Sequence, residues 1–126
     1  MLASIFSDRR YEPVDDADLH PTRPNFSVLV YTGGVVDRNT EAPVPHLKVT
    51  SETPPTFLVH AYDDGVTPLH SVTMFQALKR ANVSAELHVY AEGGHGYGLR
   101  RTELPVTTWP DRCEDWMRRL GVLEAD

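Results

Sequence analysis

The sequence predicts an α/β fold in which three parallel strands are flanked by helices. Two short apolar runs and one alternating run have the length of strands, and a helical repeat of apolar residues separates the second run from the third. Strands and helices that alternate along a chain favour a parallel sheet with right-handed crossovers. The 126 residues, 40% of them hydrophobic and 24% charged, are enough for a single domain of ordinary size spanning residues 1–126.

The three predicted strands are short and bounded by residues that interrupt regular structure. The first covers 26–31 and is stopped by a threonine and two glycines. The second, Thr56–Ala61, follows two prolines and precedes an Asp-Asp-Gly turn. Both runs are almost continuously apolar, which is typical of strands buried on both faces of a parallel sheet. The third, Ala85–Tyr90, alternates between apolar and polar residues.

Two helices are predicted from apolar residues at helical spacing. In the first, apolar residues recur at helical spacing from Leu69 up to Ala81. Pro68 is expected to be the first helical residue and Thr67 the cap. Asn82 follows as a left-handed terminator. The second covers 110–120, where apolar side chains form one stripe and charged side chains the opposite one.

The remaining segments are predicted to be loops. Residues 1–10 are expected to be the end of a helix, and residues 11–24 a polar surface loop broken by prolines. The connection over 35–55 contains four prolines and is long for a compact domain. A connection of that length predicts a functional loop or an excursion from the core.

Composition excludes several classes of partner and site. Twelve basic residues stand against 18 acidic ones, for a net charge of −6, and no basic stripe appears. A nucleic-acid backbone is therefore not an expected partner. No apolar run approaches the roughly 20 residues needed to span a bilayer, so no membrane partner is expected either. Cys113 is the single cysteine, which excludes an internal disulfide and a cysteine-based zinc site.

Polar residues that could carry chemistry follow the second and third predicted strands. Asp63 and Asp64 come just after the second strand, and His95 lies in a glycine-rich loop just after the third. Since sites in open parallel sheets gather at the carboxyl ends of the strands, these loops should lie side by side. A carboxylate beside an imidazole fixes its tautomer, and the second ring nitrogen can then accept a proton from a nucleophile.

Structural roles compete with these chemical ones. Asp63 or Asp64 could simply stabilise the turn. His60 lies inside a buried strand and is expected to be a hydrogen-bonded core histidine. His70 is expected to be solvated in the first turn of its helix. A zinc site built from His60, Asp64 and His95 is conceivable, but no HExxH-type pair supports it, so no metal is expected.

Three segments carry a family resemblance. The segment 56–71, which reads TFLVHAYDDGVTPLHS, resembles the acid-bearing segment of alpha/beta-hydrolases in the branch of prolyl oligopeptidases, dienelactone hydrolases and acetylxylan esterases. The segment 85–98, AELHVYAEGGHGYG, resembles the histidine-bearing segment of the same branch. The tail around Trp109 and Trp116 is similar to the closing helix of acetylxylan-esterase-like proteins. Together these resemblances cover a matching core over 25–123.

The resemblance implies a serine esterase that needs no cofactor. In that family His95 would be the catalytic base and Asp63 its carboxylate, with Asp64 as the alternative because the turn after His60 is one residue shorter than in many relatives. The implied substrate of the intact protein is a small-molecule or carbohydrate ester, although the same branch also contains peptidases.

One part of the family's pattern is missing from this sequence. The nucleophile of alpha/beta-hydrolases is a serine in a Gly-x-Ser-x-Gly turn that precedes the acid and the base. No such pattern occurs in the 126 residues. The resemblance therefore predicts the C-terminal half of a hydrolase domain, a partial alpha/beta-hydrolase fold that carries acid and base without the serine. The localisation stays open between the cytoplasm and secretion from a bacterium.

Two consequences are expected. The isolated chain should show only background ester hydrolysis. The strand at 26–31 should present an unpaired edge through which the chain could self-associate. The alternatives to an esterase fragment are a non-catalytic binding remnant and one half of a split hydrolase.

Overall fold

The computed structural model describes residues 11–20 and 22–124. Three parallel strands form one sheet in the order β1-β2-β3, with β1 at Ser27–Val30, β2 at Thr56–Ala61 and β3 at Ala85–Tyr90. Helix α1 covers Leu69–Arg80 and helix α2 covers Trp109–Arg119. The predicted α/β class and the parallel sheet are confirmed. The helix end expected over 1–10 lies outside the described residues.

The sheet packs between two apolar clusters because alternate side chains of β2 point to opposite faces. On one face, Phe57 and Val59 pack against Trp116 of α2. On the other face, Leu58 packs against Met74 and Leu78 of α1. All six residues of β2 are buried, so the central strand joins the two clusters into one core.

The end of α1 follows the sequence prediction, but its start does not. The helix begins at Leu69, and the capping position is occupied by Pro68 and not by Thr67. The Thr67 hydroxyl accepts a long hydrogen bond of 3.4 Å from the amide of Leu69. At the other end, Asn82 has a φ of 58°, and the amide of Val83 donates to the carbonyl of Leu78. This left-handed residue satisfies a helix-terminal carbonyl and turns the chain into β3.

The long connection over 35–55 covers the α1 side of the sheet. Val35 is fully buried, and Leu47 and Val49 pack against the same cluster as Leu58. A single antiparallel bridge joins Val36 to Pro43. The expected excursion therefore contributes apolar cover to the core.

His70 is not solvated, and that expectation is wrong. Its side chain lies under the start of the 35–55 connection, where Nδ1 accepts hydrogen bonds from the amides of Val35 and Val36 at 3.1 and 2.9 Å. Burial, reinforced by nearby His60 and Arg38, lowers the pKa of His70 and favours the neutral ring that can accept these bonds.

Candidate functional site

An acid–base pair lies at the carboxyl end of the sheet. His95 Nδ1 is 3.0 and 2.9 Å from the two carboxylate oxygens of Asp64. The Asp64 side chain is fully buried, whereas the side chain of His95 is half exposed. Asp64 Oδ1 also accepts the amide of Val66 at 2.7 Å, which fixes the carboxylate within its own turn. The pair thus has a rigid inner member and an accessible outer one.

The neighbouring residue Asp63 makes a different contact. Its Oδ1 accepts a hydrogen bond from the amide of Gly94 at 2.8 Å, and the residue is exposed. That bond to the Gly94 amide lowers the pKa of Asp63 below the ordinary range. The sequence favoured Asp63 as the partner of His95, but the structure places Asp64 against the ring. Adjacent side chains point in different directions, so one carboxylate reaches the imidazole and the other holds its loop.

The loop that carries His95 is fixed by several further contacts. Gly93 lies so close to Val106 that a Cβ at this position would be 2.7 Å from the valine Cγ1, so only glycine fits. At the far end of the loop, the indole nitrogen of Trp109 donates to the carbonyl of Gly98 at 2.8 Å. The loop is therefore anchored to the sheet, to the segment before α2 and to α2 itself.

Two tyrosines contact or neighbour the pair. The ring of Tyr31, which follows β1 with a φ of 40°, lies 4.6 Å from the His95 ring. Tyr97 packs edge-on against Tyr31 at 5.0 Å and is almost fully buried. Burial, together with the negative charge of Asp64, raises the pKa of Tyr97 far above its ordinary value. The Tyr97 hydroxyl finds no hydrogen-bond partner within the described part of the chain.

An open cavity of about 380 Å³ borders His95 on the side of α2. Its lining combines glycine, aromatic, hydroxyl and cationic groups, namely Gly93, His95, Tyr97, Arg100, Thr102, Leu104, Val106 and Thr107. The cavity gives His95 a neighbouring space in which a small molecule could sit.

His60 lies behind Asp64 and is fully buried, as expected of a core histidine. Its Nδ1 is 2.8 Å from the Ser71 hydroxyl, and its Nε2 is 2.8 Å from the Val66 carbonyl and 3.4 Å from Asp64 Oδ2. Sequence reasoning identified this histidine as structural and missed its approach to the carboxylate. The only signal was its position four residues before Asp64.

Neither a membrane helix nor a metal cluster is found in the part of the chain that the structure describes. Within residues 11–20 and 22–124, no helix combines the length and apolarity needed to cross a bilayer. The same residues contain no group of three or more His, Cys, Asp or Glu side chains arranged to hold a metal ion.

The arrangement suits proton transfer. An imidazole whose Nδ1 donates to a buried carboxylate has its second nitrogen, Nε2, available as an acceptor, and no described residue hydrogen-bonds that atom. The carboxylate also stabilises the imidazolium that forms when Nε2 takes a proton. A nucleophile of the oxygen or sulfur type placed at Nε2 would complete the geometry for acyl transfer.

The fold matches part of the alpha/beta-hydrolase fold. The chain belongs to the prolyl oligopeptidase family, whose model matches residues 29–120. No curated protein sequence matches the chain.

Several solved structures are similar to this chain. The acetyl ester-xyloside bifunctional hydrolase from Caldicellulosiruptor lactoaceticus is 30% identical with a TM-score of 0.84, over 98% of this chain and 52% of that one. MGS-M1, an alpha/beta hydrolase from a Medee basin deep-sea metagenome library, is 28% identical with a TM-score of 0.68, over 80% and 46% of the two chains. The carboxylesterase Cest-2923 from Lactobacillus plantarum WCFS1 shares the fold at 20% identity with a TM-score of 0.66, over 82% and 47%. The chain thus spans about half the length of these structures.

Proposed function

We propose that this chain supplies the acid and the base of a serine esterase, with Asp64 as the acid and His95 as the base. The observation that supports this most directly is the contact of His95 Nδ1 with both oxygens of a fully buried carboxylate. A carboxylate without solvent is costly unless it is paired and hydrogen-bonded, and here the imidazole and the Val66 amide provide both. The pair is built before any substrate arrives.

The proposed reaction is two-step acyl transfer. A serine hydroxyl attacks the ester carbonyl carbon while His95 Nε2 takes the hydroxyl proton. His95 returns that proton to the leaving alkoxide, and an acyl-enzyme remains. Water then attacks the acyl group by the same route, which releases the acid and regenerates the serine. Asp64 keeps the proton of the neutral ring on Nδ1 throughout and stabilises the imidazolium.

The serine is proposed to come from outside these 126 residues. No Gly-x-Ser-x-Gly occurs in the sequence, and the chain spans about half the length of the solved hydrolases that it matches. The substrate class is proposed to be a carboxylic ester, in line with the acetyl ester-xyloside hydrolase to which the chain is similar. An acetyl group on a sugar would fit an open cavity lined by hydroxyl and aromatic groups.

Complementation tests this function. The part of the Caldicellulosiruptor hydrolase that this chain does not match is expressed together with the chain, or fused ahead of it, and hydrolysis of para-nitrophenyl acetate is measured. The chain alone should hydrolyse at background rate, and the complemented protein should turn over. His95→Ala should then lower kcat by about 10⁶-fold, the loss seen when the base of a serine triad is removed.

Two outcomes would contradict the proposal. Hydrolysis by the purified chain alone that disappears in His95→Ala would mean that a nucleophile exists within these residues. A folded complemented protein that binds substrate without turnover would favour the binding remnant. Turnover with the co-expressed part but not with the fused part would leave the roles of Asp64 and His95 intact and would favour the split hydrolase.

A further inference from the structure

A second buried histidine contacts the same carboxylate as His95. Asp64 Oδ2 is 2.9 Å from His95 Nδ1 on one side and 3.4 Å from His60 Nε2 on the other. The side chains of Asp64 and His60 are both completely shielded from solvent. Asp64 therefore lies between two imidazoles, of which one is accessible and the other belongs to the core.

The hydrogen bonds of His60 assign its tautomer. The Val66 carbonyl, 2.8 Å from Nε2, can only accept, so Nε2 must carry a proton. In the neutral ring, Nδ1 is then the acceptor of the Ser71 hydroxyl at 2.8 Å. The Nε2–H group that bonds to the Val66 carbonyl also lies 3.4 Å from Asp64 Oδ2. It makes no hydrogen bond to the carboxylate, but the positive end of its dipole lies beside it.

Val66 closes a ring of contacts around the carboxylate. Its amide donates to Asp64 Oδ1 at 2.7 Å, while its carbonyl accepts from His60. Besides His95, Oδ1 accepts the Val66 amide and Oδ2 lies beside the His60 N–H group. These two contacts, both tied to Val66, oppose rotation of the carboxylate about its Cβ–Cγ bond.

We propose that His60 is a positioning residue, which orients the Asp64 carboxylate so that both of its oxygens face His95 Nδ1. The inference rests on the proposed function for its consequence in catalysis, but the positioning itself is a property of this chain alone. Ser71, in the first turn of α1, holds the far side of the His60 ring and so links the helix to the acid–base pair.

Nitrogen-15 NMR of the histidine rings in the full chain tests this proposal. In the wild type, the neutral His95 ring should carry its proton on Nδ1. His60→Leu removes the N–H group that orients the Asp64 carboxylate. The proton of the His95 ring should then exchange between Nδ1 and Nε2. His60→Gln places an amide N–H near the former Nε2 and should retain the wild-type pattern. A folded His60→Leu variant with an unchanged His95 pattern would overturn the proposal.

A matched control separates positioning from a loss of stability. His70 is also buried and hydrogen-bonded to backbone, but no described contact joins it to Asp64. His70→Leu should lower the midpoint of unfolding and leave the His95 ring pattern as in the wild type. If both substitutions change the His95 pattern equally, His60 has no specific role.

A reciprocal measurement applies even if His60→Leu does not fold. In the wild-type background, Asp64→Asn should shift the Nε2–H resonance of His60, while Asp63→Asn should leave it unchanged. Equal shifts of the His60 resonance in the two variants, or no shift in either, would contradict the contact between the His60 Nε2–H group and Asp64. This readout is independent of the serine and of turnover.

Turnover measurements on the complemented protein complete the test. In the complemented protein, His60→Gln should keep most activity, and His60→Leu should lower kcat by up to about 100-fold with little change in KM, because a misplaced base slows the chemical step. If the complemented protein is inactive in every form, the proposed function fails. The ring spectra of the chain alone would still decide the role of His60.

Discussion

The central strand β2 and the edge strand β1 are paired in register but lie in different surroundings. All six residues of β2 are buried, whereas the four residues of β1 are only half-buried. β2 has a hydrogen-bonded neighbour on each side, while β1 pairs only with β2 among the described residues. The carboxyl end of β2 leads into Asp64 and its complete set of partners. Among the described residues, the acid–base pair is therefore complete, while the outer edges of β1 and β3 are unpaired.

The difference between β2 and β1 explains how the acid and the base can be held in position without the serine. The hydrogen bonds to Asp64 come from the turn after β2 and from the loop after β3, and the further contact of its carboxylate is with His60 of β2. None depends on the free edge of β1. Tyr31 is the exception in the surroundings of the site, because it extends from the end of β1 and contacts the His95 ring.

The largest expected effect sharpens the contrast between the two aspartates of the turn. In the complemented protein, Asp64→Asn should lower kcat by about 10⁴-fold, because an amide cannot hold the imidazole in its working tautomer or stabilise its charged form. Asp63→Asn is the matched control and should cost far less, since the Asp63 carboxylate bonds to the backbone of the His95 loop and not to the His95 ring. Steady-state kinetics with para-nitrophenyl acetate measure both. Equal losses of kcat in the two variants would support Asp63 as the carboxylate partner of His95, as the sequence favoured.

The next effect compares the two strands directly. Val59 of β2 and Val30 of β1 are partners in register, and Val59 is fully buried while Val30 is partly exposed. Val59→Ala should lower the free energy of unfolding by about 2 kcal/mol, because two buried methyl groups are lost. Val30→Ala should cost less than half as much. Urea denaturation gives both values, and equal costs would mean that β1 is as enclosed as β2.

A smaller effect concerns the free edge of β1. The amides of Ser27 and Tyr31 bond to the side of β2, so the alternating amide of Val28 points away from it. Val28→Pro should reduce any self-association seen by light scattering, because it removes an edge donor without breaking the ladder to β2. Ser27→Pro is the control and should destabilise the chain instead. Self-association that persists in Val28→Pro would place the contact elsewhere.

The smallest effect is the response of the His95 loop to acid. The pKa of Asp63 is lowered in the folded chain by the Gly94 amide, so the contact stabilises the loop above the ordinary aspartate pKa of about 3.9. The contribution is lost as the pH falls through the lowered value. The Gly94 amide resonance should therefore titrate below pH 3.9, and the titration should vanish in Asp63→Asn. A midpoint at or above the ordinary value would contradict the contact.

Local patterns were enough to predict most of the fold. The strands Thr56–Ala61 and Ala85–Tyr90 match their predicted limits, because apolar runs ended by prolines, glycines or charged residues leave little choice. The short 3₁₀ helices at Asp16–Leu19 and Pro105–Thr108 were missed, since a single turn has no periodicity to detect. The burial of His70 depends on residues 35 positions away and leaves no local signal.

The candidate site was predictable in its residues but not in their contacts. The order of strands and helices along the chain predicts that the carboxyl ends of β2 and β3 are neighbours. This was enough to pair His95 with the turn at 63–64. The choice between Asp63 and Asp64 depends on the direction of each side chain from a tight turn, and neither spacing nor composition specifies that direction. For His60 the sequence offers only its position four residues before Asp64, and that spacing across a strand end and a turn does not specify that the ring approaches the carboxylate.

The contact between Asp64 and His95 is formed by residues of this chain alone. Nitrogen-15 NMR of the His95 ring in the isolated wild-type chain, compared with Asp64→Asn and Asp63→Asn, tests this most directly. We expect a neutral ring with its proton on Nδ1 in the wild type and in Asp63→Asn, and loss of that preference in Asp64→Asn. A wild-type ring whose proton exchanges freely between both nitrogens, or one that ignores the loss of the Asp64 carboxylate, would contradict it.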